Sequence, residues 1–162
     1  MGGNGPRQDY LGWDETFMLL THLIAARSKD PNSQVGACIV DPHDIVLGLG
    51  YNGFPRGCSD EALPWAREGD FLTTKYAYVV HAEANALLNA SAPVHGCRLY
   101  CNYYPCNECA KLIIQHRIAE VIYEEDKYPE LDLYKVSKRL FELAGVAVRR
   151  YTCANRLRIE PR

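Results

Sequence analysis

The chain has 162 residues, 48% apolar, 23% charged and 10% aromatic, enough for one domain with its own core and unlike a disordered or collagen-like composition. Lys and Arg number 18 against 20 Asp and Glu, a net charge of −2. That balance lacks the basic excess of non-specific nucleic-acid or membrane-surface binders, and no apolar run approaches the roughly 18 residues of a spanning helix, so a small polar ligand suits the chain better than a polymer or a bilayer.

Met1 to Pro6 hold no hydrophobic signal core, and residues 1–12 read as a flexible tail ahead of a single domain over 13–151. Asp14 and Glu15 precede Phe17, Leu20 and Ile24 at helical spacing, which predicts an amphipathic helix from Trp13 to about Ser28, closed before Pro31. Val35 to Val40 and Ile45 to Tyr51 flank the turn-forming Asp41-Pro42-His43-Asp44 and read as a hairpin. From Phe54 to about Thr74, Pro, Gly and charges mix without a period, an irregular loop long enough to be functional. Beyond it come a helix from Ala82 to Asn89, a strand from Arg98 to Asn102 and a helix from Cys106 to about His116 with Pro105 at its start. A strand from Glu120 to Tyr123, a helix from Leu131 to Ala144 and a strand from Val146 to Tyr151 complete the domain. The alternation predicts an α/β fold with a mostly parallel five-stranded sheet. Residues 152–162, with Arg156, Arg158 and Arg162, read as a solvated tail.

Seven cysteines are an odd number in a chain that can fold without bridges, which points to a reducing, cytoplasmic compartment and to cysteine spacing as a sign of metal binding or reactivity. Two short segments carry that spacing: His81-Ala82-Glu83 at one helix start and Pro105-Cys106-Asn107-Glu108-Cys109 at another, together H-x-E and P-C-x-x-C. Cys106 and Cys109 on one helical turn can aim two sulfurs the same way, and the positive helix end favours their thiolates. With His81 they make three ligands for Zn²⁺ and leave a fourth position open to water, the pattern of a catalytic rather than a closed site. Glu83 is then the general acid and base beside that water. A redox pair or half of a structural zinc site would also use C-x-x-C. The remaining cysteines, at 38, 58, 97, 101 and 153, supply no second such pair, and Cys38 and Cys101, within strands, read as buried small hydrophobes.

At these residues the sequence resembles the cytidine deaminase superfamily and, within it, the deoxycytidylate (dCMP) deaminases. The resemblance runs from about Tyr10 to Tyr151 and rests on Ala26 to Ala37, Gly50 to Asp60, His81 to Ala86 and Pro105 to Lys111. It implies a three-layer α/β/α domain around a mixed sheet, and hydrolysis of dCMP to dUMP and ammonia, which supplies the precursor of thymidylate. By the same resemblance, Asn52 contacts the sugar, Arg27, Ser28, Lys29 and Asn32 take the 5′-phosphate, and Ala82 and Tyr104 border the base. It further implies an effector site for dCTP with Mg²⁺, or for inhibitory dTTP, at Gly50, Tyr51, Gly53, Phe54, Gly57 and Asp60, together with a homohexamer. A structural lid is the alternative reading of that loop. His116-Arg117 stands where relatives carry Ala-Gly, which asks Arg117 for a backbone conformation that glycine adopts more easily.

Overall fold

The computed structural model describes residues 5–162, so the first four residues of the expected tail lie outside the described residues. Helix α1 spans Trp13–Ala25, strands β1 Gly36–Val40 and β2 Val46–Tyr51, helix α2 Ala82–Leu88, strand β3 Arg98–Tyr103, helix α3 Asn107–Gln115, strand β4 Glu120–Glu125, helix α4 Asp132–Ala144 and strand β5 Ala147–Arg150. Every expected element forms, with ends moved by a few residues. The long loop adds two short 3-10 turns, Phe71–Thr73 and Lys75–Ala77.

The strands lie in the order β2-β1-β3-β4-β5. β1 pairs antiparallel with both β2 and β3, while β3, β4 and β5 pair in parallel. Four strands thus share one direction and β1 alone is reversed, which makes the sheet mixed and mostly parallel. In the β1–β2 turn the Asp41 carboxylate accepts from the backbone N–H of His43 at 2.8 Å and of Ile45 at 2.9 Å, as the turn composition predicts.

Strand alternation divides the core between the two sheet faces. Ala37, Ile39, Leu99, Cys101 and Val121 join residues of α2, α3 and α4, while Cys38, Val40, Tyr100 and Ile122 pack on Phe17 and Met18 of α1. The result is the expected three-layer α/β/α sandwich. Cys38 and Cys101 are buried on opposite faces, and burial pushes the Cys38 thiol up to about 12 and Cys101 well above its ordinary value. Gly36 and Gly50 let helices approach the sheet closely: a Cβ would fall 2.1 Å from the Thr21 carbonyl oxygen of α1 and 2.2 Å from the Ala82 carbonyl oxygen of α2, respectively.

The acids at the start of α1 do more than complement its dipole. Asp14 accepts both terminal nitrogens of Arg149, at 2.8 and 2.9 Å, and the Tyr100 hydroxyl at 2.7 Å. Glu15 accepts from the Tyr151 hydroxyl at 2.7 Å and from Ala154 and Asn155, so the expected tail is docked through Asn155 rather than solvated from residue 152. Burial alone would raise Glu15, but these donors outweigh it and hold its pKa down to about 2. A folded-state pKa below the unfolded value of 4.5 contributes stability above pH 4.5 that is lost as pH falls toward 2. Glu15→Gln is expected to lower urea stability at pH 7 by about 1–3 kcal/mol, to flatten the acid limb of the stability profile below pH 4.5, and to speed amide exchange at Ala154 and Asn155. Unchanged exchange there would show that Glu15 does not hold the segment.

Helix α3 ends as its sequence predicts. Arg117 takes φ +58, and its N–H reaches the Ile114 carbonyl at 2.9 Å, whereas α4 closes on Gly145 at φ +70. The left-handed conformation costs a non-glycine residue about 1–2 kcal/mol, part of which glycine returns through unfolded-chain entropy. Arg117→Gly is therefore expected to stabilise the fold by about 0.5–1 kcal/mol, raising Tm by a few degrees in a thermal melt.

Candidate active site

Two helix starts converge on one point. His81 caps α2 with extended backbone at φ −71 and ψ 155, and Cys106, after Pro105, caps α3 in the same way. The adjoining first turns carry Glu83 and Cys109. His81 Nδ1 lies 3.4 Å from the sulfurs of both Cys106 and Cys109. One ligand atom from each lies within 4.8 Å of the others, which suits a single metal ion bound through one nitrogen and two sulfurs. Glu83 is 4% exposed, and Cys109 Sγ donates to its Oε2 at 3.5 Å.

The electrostatics fit a cation. The Cys109 thiol beside Cys106, opposed by burial and aided by His81, lowers Cys106, while Cys109 is raised. Cys106 in turn draws His81 up to about 9 against the effect of its crowded position in the pocket wall. Burial pushes Glu83 up, with the His81 charge opposing and Cys106 adding to it. Two cysteine sulfurs at the start of α3 and an imidazole at the start of α2 are a donor set for Zn²⁺.

His81, Glu83 and Cys106 line a cavity of about 620 Å³. Of the expected substrate residues, Asn52, Ala82 and Tyr104 line it too. Tyr104 also belongs to the core, edge-on to Tyr123 at 4.8 Å. Asn52 is buried, and its amide is largely spent: it donates to the Ser33 carbonyl at 2.9 Å and toward Asp30 at 3.4 Å, and accepts from Val35 N–H at 2.9 Å. One acceptor lone pair remains for a ligand hydroxyl, so Asn52 can accept from a sugar but has no donor left for it.

Arg27, Ser28, Lys29 and Asn32 are not among the lining residues. The chain turns after α1 and lays them against the expected effector segment instead. Ser28 Oγ donates to the Asn52 carbonyl at 2.9 Å, Lys29 pairs with Asp60, Arg27 sits 5.9 Å from the Tyr51 ring centre, and Asn32 donates to the Trp65 carbonyl at 3.4 Å. Within that segment Phe54 packs on Trp65 at 4.1 Å, Gly53 bridges to Val80, and Gly57 adopts φ +88. Gly50 is different, because α2 backbone already occupies the space beside its Cα.

Sequence reasoning missed the cations that do line the cavity: Arg67, Lys75 and Lys127. Lys75 is buried against Asp30. Arg67 donates to the hydroxyls of Tyr76 and Tyr128, both at 3.3 Å, and thereby joins the loop before α2 to the segment after β4. Lys127 lies 5.1 Å from the Tyr103 ring centre. The paired dipeptides Lys75-Tyr76 and Lys127-Tyr128 were the available signal, since each brings a cation and an aromatic to the same wall. With Tyr103, Tyr104 and Tyr134 the cavity has aromatic surface for a flat ring and two cations without a carboxylate partner among the described residues.

The sequence profile of the cytidine and deoxycytidylate deaminase zinc-binding region matches residues 11–125. Deoxycytidylate deaminase of Mus musculus is 55% identical over 148 residues, spanning 90% of this chain and 83% of that protein. The Homo sapiens enzyme is 54% identical over 147 residues, with the same coverages. The crystal structure of dCMP deaminase from the cyanophage S-TIM5, in complex with dCMP and dUMP, superposes with a TM-score of 0.66 at 28% identity, covering 85% of this chain and 96% of that one. No helix among the described residues is long and apolar enough to cross a membrane. The helix-start triad, the buried Glu83 beside it and the match over residues 11–125 agree, and the chain belongs to the cytidine and deoxycytidylate deaminase family.

Proposed function

We propose that the chain hydrolyses dCMP to dUMP and ammonia, with Glu83 as its proton carrier. The observation that supports this most directly is the placement of Glu83: buried, beside the His81, Cys106 and Cys109 triad, in the wall of a tyrosine-lined cavity. The deoxycytidylate deaminases of mouse and human, at 55% and 54% identity, support dCMP as the substrate. Zinc held by the triad supplies the Lewis acidity that makes water a nucleophile near neutral pH. Glu83 accepts a proton from the attacking water and delivers it to ring N3. As the C4–N bond breaks it passes the second water proton to the departing amine, so water and the amine become a carbonyl oxygen and ammonia.

Tyr104 packs on the pyrimidine beside Ala82, and Asn52 accepts from a sugar hydroxyl. Arg67 and Lys127, the wall cations without a carboxylate partner among the described residues, take the 5′-phosphate. Arg27, Ser28, Lys29 and Asn32 join Tyr51, Gly53, Phe54, Gly57 and Asp60 in an effector site for dCTP with Mg²⁺, or for dTTP, in a cytoplasmic homohexamer. The contacts between residues 27–32 and 51–65 support that grouping, and Asp60 supplies the carboxylate for the magnesium.

The test is ammonia release by the zinc-loaded protein from dCMP, CMP, dCTP and deoxycytidine, with and without dCTP and Mg²⁺. Turnover of dCMP, raised by dCTP, is expected. Turnover of dCTP itself moves the assignment to a dCTP deaminase, and silence on all four with zinc bound overturns it.

A further inference from the structure

A second cluster of metal-type donors lies on the α1 side of the sheet. Along β4, Val121 and Tyr123 belong to the face that carries the active site, while Ile122, and with it Glu124, belong to the α1 face. His22 comes from the last turn of α1, and Cys153 from the segment after β5. His22 Nε2 is 2.5 Å from Glu124 Oε2, and the other carboxylate oxygen accepts from the Cys153 backbone N–H at 2.9 Å. The imidazole nitrogen, a carboxylate oxygen and the Cys153 sulfur all lie within 4.8 Å of one another. All three residues are half-buried, and they border a cavity of about 540 Å³ with Asn155 and Arg156.

We propose that His22, Glu124 and Cys153 form a second metal site, for Zn²⁺ or a similar borderline divalent ion, distinct from the triad at His81, Cys106 and Cys109. A hydrogen-bonded His–Glu pair needs no third partner, yet the fold brings a sulfur to the same point from a residue 29 positions beyond Glu124. One nitrogen, one oxygen and one sulfur are each established zinc donors, and three protein ligands beside an open cavity leave a place for water. The Cys153 N–H bond to Glu124 orients that carboxylate from outside the ligand set. Two ligands on one tetrahedral ion stand about 3.3 Å apart. The His22–Glu124 pair therefore opens by less than about 1 Å, the ion replaces the thiol proton of Cys153, and His22 binds as the neutral imidazole with its N–H on Nδ1. Such an ion ties the last turn of α1, the end of β4 and the carboxy-terminal segment together.

Zinc content is measured by mass spectrometry after equilibration in micromolar zinc and removal of free metal. The full chain is expected to hold two ions. Cys153→Ser and His22→Phe are each expected to hold one and to keep their rate of ammonia release, and Cys109→Ser to hold one and lose that rate. Cobalt substitution supplies a second readout: Cys153→Ser loses part of the sulfur-to-cobalt charge-transfer absorption, and His22→Phe alters the visible bands. A single ion in the unsubstituted chain, or two retained in Cys153→Ser, overturns the second site and leaves the first untouched. Loss of ammonia release in the unsubstituted chain with two ions bound counts against the proposed function and not against this site.

Discussion

Glu83→Gln is expected to keep its zinc and lose turnover by about 10²–10⁴-fold. The amide has the shape of the carboxylate, so a residue only 4% exposed is replaced without a cavity, and His81, Cys106 and Cys109 retain their positions. An amide cannot accept the proton of the attacking water, while its N–H can still donate to a Cys109 thiolate at the distance the carboxylate now keeps from that sulfur. The loss therefore belongs to the proton path rather than to assembly of the site. Zinc content and ammonia release, measured on the same preparation, separate the two: full turnover with zinc bound removes Glu83 from the reaction, and loss of zinc makes it a structural support of the triad instead.

What the sequence made legible was local. His81, Glu83, Cys106 and Cys109 fall at two helix starts because Pro105 and the onset of apolar spacing mark those starts. Arg117 could be singled out because a helix end has a backbone requirement that one residue either meets or does not. What remained hidden depended on distance along the chain. Glu15 reads as a dipole-complementing acid, yet it is the acceptor for donors 136 to 140 residues away, and no periodicity reports such a partner. Arg67 and Lys127 come from irregular segments before β3 and after β4 and meet at Tyr128, whose hydroxyl accepts from Arg67 and whose ring lies 5.6 Å from the Lys127 ammonium. Residues 27–32 have the composition of a phosphate site, but the turn after α1 directs them to the 51–65 loop. Asn52 lines the cavity, while the use of both its donors by the 30–33 turn is visible only in three dimensions.

Gly50→Ala carries the second large effect, and it distinguishes packing from effector binding. Gly48 and Gly50 lie on the same face of β2, and α2 rests on both with backbone against backbone. A Cβ on Gly50 would stand 2.2 Å from the Ala82 carbonyl oxygen and 2.3 Å from the Ala86 nitrogen, where ordinary contact begins at 3.4 Å. Neither atom belongs to a side chain that can rotate away, so α2 must move by about 1 Å. His81 caps that helix and Glu83 sits in its first turn, while Cys106 and Cys109 stay with α3. A 1 Å misplacement of catalytic groups can cost about 10²-fold in rate, and overpacking about 1–3 kcal/mol in stability. Gly50→Ala is accordingly expected to lose both in ammonia-release and urea-denaturation assays, with weakened zinc retention. Gly53→Ala, whose Cβ would meet the Tyr51 ring at 3.8 Å, should keep both without effector. If Gly50→Ala instead retained zinc, stability and basal turnover and lost only the response to dCTP, the glycine would belong to the nucleotide site, and the close approach of α2 would not explain it.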